Sequence, residues 1–267
     1  MWMHLLSAWY SGYRSRSFQA LFIISLLSMG GTILAATFSG RQPSTVAMDV
    51  GLSSMRFVSV LMTLFWCQEL IGKEIERKTV FFALTYPIGR SAYIIGRYLG
   101  ILLLTLVATM LLGVMLLITI KLATPQGYQQ STPIDLTQLP LVLAFNFLDL
   151  AVVAAFSTLI ASISTTPMLP LAMGAAFSIA ARSLGPTIEF LRRKGDMAAD
   201  IAPIFDPILS ATLWIMPDLS RMDIRVAALY SQNLDSLSML LSAAMCFAYI
   251  IIMMALATWQ FNRREFI

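Results

Sequence analysis

Apolar stretches long enough to cross a bilayer alternate along this chain with short polar segments. A hydrocarbon core of ~30 Å asks for about 20 helical residues. Residues 18–38, 53–71, 99–120, 139–162, 168–181 and 239–260 supply six such stretches. The predicted fold is an all-α integral membrane protein, with residues 1–267 forming a single transmembrane domain. Between the spans lie a short loop at 39–52, a polar segment at 72–98, and a loop at 121–138 carrying Pro125, Gly127 and Pro133. A tight turn follows at 162–167. The region 182–237 is harder to place. Its stretch 201–216 is apolar but short, and Asp206 and Pro207 interrupt it. Irregular backbone cannot face lipid, so a re-entrant or interfacial hairpin is expected there rather than a full span.

Residues 1–17 mix Trp2, Leu5, Leu6, Trp9 and Tyr13 with His4, Arg14 and Arg16. Aromatic and aliphatic groups with a basic end suit a helix lying in the membrane interface. The stretch 18–38 imitates a secretory signal, with Leu34-Ala35-Ala36 near its end, but ~20 residues is long for a signal's apolar region. An uncleaved first span is expected.

Composition agrees. Of 267 residues, 58% are hydrophobic and 12% charged, against about 25% charged in a soluble domain; the mean hydropathy is +0.78. The net charge of +4 does not point to nucleic acid, because the basic residues sit beside the spans rather than along one polar face. That is the positive-inside pattern. Nine Lys and Arg flank the predicted cytoplasmic ends (Arg14, Arg16, Lys73, Arg77, Lys78, Arg90, Arg97, Arg263, Arg264), against Arg41 and Lys121 outside. Six spans with both termini cytoplasmic, in a cell inner membrane, satisfy hydropathy and charge together. The triplet Arg192-Arg193-Lys194 opposes an outer placement of 182–237, but long loops obey the charge rule poorly.

Little chemistry is available for catalysis, a cofactor or a metal. Cys67 and Cys246 lie apart inside apolar runs and read as small buried hydrophobes. His4 has no neighbouring ligands, and the 17 methionines are scattered through the spans. Asn146-Phe147-Leu148-Asp149 resembles the Asn/Asp motifs of prenyl transferases. Those enzymes need a second Asp-rich motif to hold Mg²⁺ and diphosphate, and no span supplies one. A secondary transporter remains the other alternative, although repeated halves are not found.

Asp149 is the polar residue of interest within the spans. A carboxylate near the bilayer midplane costs ~3 kcal/mol or more on insertion scales and should face protein or water. Asn146, three residues earlier on the same face, and Arg56, reaching inward from the outer end of span two, are its expected partners. Two roles stay open: a polar pin between spans two and four, or a polar lining of a transport path.

The segment 72–98 is too charged to span and too apolar for a linker. Glu74 and Glu76 are expected in the first turn of a cytoplasmic helix, complementing its dipole. Val80 to Leu84 form a greasy continuation, Pro87 stops the helix and Gly89 permits a turn. Spacing alone leaves open whether such a helix docks on a soluble partner or rests on lipid. Glu74-x-Glu76-x-x-Thr79, Leu84-Thr85-Tyr86-Pro87-Ile88-Gly89-Arg90 and Ile95-Gly96-Arg97 resemble the first cytoplasmic loop of ABC type-2 exporter permeases. Lys78 stands where that family usually has glycine, and Arg97 where it has lysine. Trp214-x-x-Pro217-Asp218-Leu219 is also similar to a family element. The resemblance implies a coupling helix between spans two and three, with Glu74, Glu76, Thr79, Phe82, Pro87 and Arg90 meeting an ABC ATPase subunit. It further implies a homodimer of permeases in membrane lipid, with ATP and Mg²⁺ on the partner, since this sequence holds no G-x-x-x-x-G-K-[ST]. Gly96 and Gly100 form a small-x-x-x-small pair suited to close packing, between subunits or within one. Within the family, the layout is most similar to permeases linked to maturation of copper enzymes such as nitrous oxide reductase.

Overall fold

The computed structural model describes residues 9–12, 15–39, 41–77, 89–123, 135–194, 216–230 and 235–264. Among them every regular element is helical, and six helices are long and apolar enough to cross a membrane. Helix α1 (Arg16–Phe38) starts where Ser15 Oγ accepts the Phe18 N–H at 3.0 Å, a side-chain cap on an otherwise unpaired donor. The 1–17 segment lies partly outside the described residues. Residues 9–12 are helical, and the Gly12 carbonyl accepts the Trp66 indole N–H at 3.4 Å.

Helix α2 (Pro43–Cys67) runs through a π turn at Gln68–Gly72 into α3 (Lys73–Glu76). The apolar helix is therefore continuous from Pro43 to Glu76, 34 residues, or about 51 Å at 1.5 Å per residue. Two expectations change. The loop at 39–52 is largely helix, because Pro43 occupies the first turn, where its missing N–H costs nothing. Glu74 and Glu76 occupy the end of this long helix, not the first turn of a new one, so the N-terminal dipole does not hold them.

Helix α4 (Arg90–Ala123) likewise begins nine residues before the predicted span, since Arg90 and Arg97 are both accommodated by partners described below. Helix α5 (Leu139–Ile163) has Pro140 in its first turn and is the central element, packing on α2, α4 and two later helices. Its small residues Ala151, Ala154 and Ala155 are almost wholly buried, which lets neighbours approach closely. A turn at 164–167, closed by Ser164 Oγ on the Thr166 carbonyl, leads into α6 (Met168–Lys194). This helix continues 13 residues past the expected end at 181 and carries Pro186 inside it. The charged Arg182 did not end it, because Arg182 has a buried counter-charge.

Of the region expected to be re-entrant, 195–215 and 231–234 lie outside the described residues. The part 182–194 is the end of α6. Residues 216–230 form a 3₁₀ turn at Leu219–Met222 and the short α7 (Arg225–Tyr230), folded against the ends of α2, α5 and α6. Leu219, Met222, Ala227 and Ala228 are buried there. Helix α8 (Ser236–Arg263) is capped by Asp235, which accepts the Leu237 and Ser238 N–H groups at 3.3 and 3.2 Å. It lies along α5 and α4, fully burying Ser242, Cys246, Ala257 and Phe261 and packing Met245, Tyr249, Ile250 and Met253 partly against the core; its outer face, with Leu240, Phe247, Ile251 and Trp259, is exposed.

Candidate functional site

Two polar constellations interrupt this apolar bundle. The first is a chain of alternating charges that runs from the surface into the middle of the bundle. Asp149 is fully buried on α5, and its Oδ2 accepts from Arg56 Nη2 at 3.0 Å and Nε at 3.3 Å. Arg182 of α6 adds Nη2 at 2.7 Å and Nε at 3.2 Å. Arg56 also pairs with Asp223 through Nη1 at 2.7 Å. Arg225 reaches Asp223 at 2.9 Å, Asp49 at 3.1 Å and Ser53 at 2.7 Å. Three helices and the 216–230 cap are thus tied by one network: Asp49, Arg225, Asp223, Arg56, Asp149, Arg182.

Burial of these charges in a low-dielectric bundle is tolerable only because each has opposite neighbours. Because α2 begins at Pro43, Arg56 is the fourteenth residue of a 34-residue helix and stands well inside that helix. Asn146 lies beside the network without joining it: neither side-chain amide atom has a hydrogen-bond partner, although the residue is 9% exposed. A cleft of about 590 Å³ opens here, walled by Arg56, Asn146, Arg182, Asp223 and Arg225 on its polar side.

Sequence reading overlooked Arg182, yet a signal existed. Two helices joined by a tight turn lie antiparallel, so residues equally distant from the turn share a height. The turn 164–167 is centred at 165.5, and Asp149 and Arg182 each lie 16.5 positions away. Ser157 and Gly174 obey the same rule: a Cβ added at Gly174 would lie 3.3 Å from Ser157 Oγ.

The second constellation stands at the basic end of the bundle. Glu74 at the end of α3 accepts from Arg97 Nη2 at 2.5 Å and from the Tyr93 hydroxyl at 2.6 Å, joining α3 to the start of α4. Arg90 donates to the carbonyls of Asn262 and Arg264, both at 3.1 Å, so it satisfies the end of α8. Arg264 in turn donates to Ser162 and Ser164 carbonyls at 2.9 Å, at the end of α5. Glu76 is exposed and makes none of these bonds. Thr79, Phe82 and Pro87 lie outside the described residues, so the structure brings Glu74 and Arg90 to one end of the bundle and leaves the intervening segment undescribed. Gly96 and Gly100 are buried within this subunit, so both serve packing inside one chain.

Six apolar helices on a hydrophobic core, interrupted by one charge network and ending in a basic face, define a multi-pass membrane protein. Residues 8–266 match the family described as ABC-2 family transporter protein, and the chain belongs to it: it is the membrane permease of an ABC transporter. No individual curated protein matches the chain. The match is to the family as a whole and does not bear on the copper-enzyme-maturation subfamily.

Proposed function

We propose that the chain is the permease half of an ABC exporter, working as a homodimer and driven by separate ATPase subunits that meet it at the segment between α3 and α4. The supporting observation is the Glu74 junction. Arg97 and Tyr93 fasten the end of α3 to the start of α4, so both ends of the 78–88 segment are anchored to rigid helices. A push on that segment would move α2 and α4 together, and α2 carries Arg56 of the charge network. The export direction and the ATPase contact rest on the resemblance of 74–97 to the family's coupling loop, and the cytoplasmic placement of that end on its cluster of basic residues.

Glu76→Lys tests the contact cleanly. Glu76 is exposed at a helix C-terminus, where a cation is favoured over an anion, so the change should not unfold the bundle. Glu76→Lys and Phe82→Asp are expected to insert normally but to lose co-purification with the ATPase, or its stimulation. Normal assembly and transport in both variants would refute the docking role.

A further inference from the structure

The cleft at the charge network has features that holding the helices together does not require. Its wall carries an excess of positive charge. Arg56, Arg182 and Arg225 are matched by only two carboxylates within the network's interior, Asp149 and Asp223; Asp49 is 53% exposed, so water screens its contribution. Donors are also left over. A guanidinium offers five N–H groups. Arg182 uses three, on Asp149 and Ser178, and Arg225 uses three, on Asp49, Ser53 and Asp223. Asn146 adds an amide with no partner at either atom, nine-tenths buried in the same wall. A buried amide without partners is costly, and a ligand that both accepts and donates would relieve it.

Apart from Ser53 and Ser220, the remainder of the cleft is apolar, with Leu52, Met55, Val142, Leu143 and Met222. Phe57, also part of its wall, is 65% exposed near the middle of a membrane-spanning helix, so the cleft borders the acyl region. We propose that it binds an amphiphile with an anionic head group, such as a monoalkyl phosphate, entering from the bilayer. The head sits among Arg182, Arg225 and Asn146, and the chain lies along the apolar wall toward Phe57. A volume of about 590 Å³ lies within the 300–1,000 Å³ range usual for small-molecule sites. That this amphiphile is cargo rests on the permease reading above; the binding itself does not.

The test uses the full-length chain in dodecyl maltoside micelles, titrated by calorimetry with dodecyl phosphate, dodecylphosphocholine or inorganic phosphate. Dodecyl phosphate should bind saturably, and the other two at least tenfold more weakly. Asn146→Ala removes no hydrogen bond and one costly unpaired amide, so its thermal midpoint should be no lower than the parent's while dodecyl phosphate affinity falls at least fivefold. Arg225→Gln, with Arg56 still on Asp223, should lower it about tenfold. Equal binding of inorganic phosphate would overturn the amphiphile assignment, and equal binding of dodecylphosphocholine the anionic one. Unchanged affinity in Asn146→Ala and Arg225→Gln would overturn the site. None of these readouts involves ATP or a partner, so failure here leaves the coupling proposal standing.

Discussion

At the scale of single residues, Asp149 organises the interior, and its neighbours differ in how replaceable they are. Asp149 is the shared acceptor of two guanidinium groups, so Asp149→Asn leaves Arg182 without a carboxylate and Arg56 with Asp223 alone. Loss of one partner of a buried pair costs about 3–5 kcal/mol. Either arginine is more dispensable. In Arg182→Gln, Asp149 keeps Arg56; in Arg56→Gln, Asp149 keeps Arg182 and Asp223 keeps Arg225. Thermal unfolding in detergent should therefore rank Asp149→Asn well below both arginine variants, and Asp149→Asn/Arg182→Gln should recover part of the loss. Equal damage from all three singles, with no recovery in the double, would show that the network does not act as a unit. Asp149 and its tie to Arg56 were legible in the sequence because a carboxylate inside an apolar run demands a cation. Asp223 and Arg225 were not. They come from the proline-rich stretch after α6, where no periodicity announces which residues fold back onto the bundle.

At the scale of elements, hydropathy located all six helices but misjudged where they end. Window reasoning stops a span at the first cluster of polar residues. Here the polar residues at α2's start are packed inside: Ser44 and Thr45 are buried, and a side chain at Gly51 would meet Leu116. α6 passes Arg182 because α5 neutralises it. The 216–230 cap depends on a comparable close approach. Any Cβ at Gly185 would run into Ser220 Oγ, with the Asp218 carboxylate 3.1 Å away. Gly185→Val should lift the cap from α6 and loosen the Asp223 and Arg225 contacts, seen as faster protease cleavage between residues 216 and 230. Gly31→Ala is the control. Nothing lies within 4 Å of its Cβ position, and alanine is favoured over glycine in a helix by about 1 kcal/mol, so its cleavage pattern should match the parent. Indistinguishable cleavage in the two variants would mean that the cap is not seated on Gly185.

At the scale of the whole molecule, the question is which way the bundle faces. Three contacts make one end a single unit: Glu74 with Arg97, Arg90 with the end of α8, and Arg264 with the end of α5. The start of α1 and the ends of α3, α5 and α8 all meet there, while Asp135, Asp235 and α7 stand at the other. The basic end carries most of the short-flank lysines and arginines, and the charge rule predicts that this end faces the cytoplasm. The triplet Arg192-Arg193-Lys194 belongs to the far end of α6 and opposes that orientation, which makes the assignment worth a direct test. Cysteine substitutions should be made in a background lacking Cys67 and Cys246, which are both buried. Asp235→Cys, at the exposed start of α8, should react with a membrane-impermeant maleimide added to intact cells. Arg263→Cys, 28 residues later and past a full span, should react only after the membrane is opened. The coupling proposal requires the end holding Glu76 to be the cytoplasmic one, so the reverse labelling pattern would invert the orientation and remove that proposal with it.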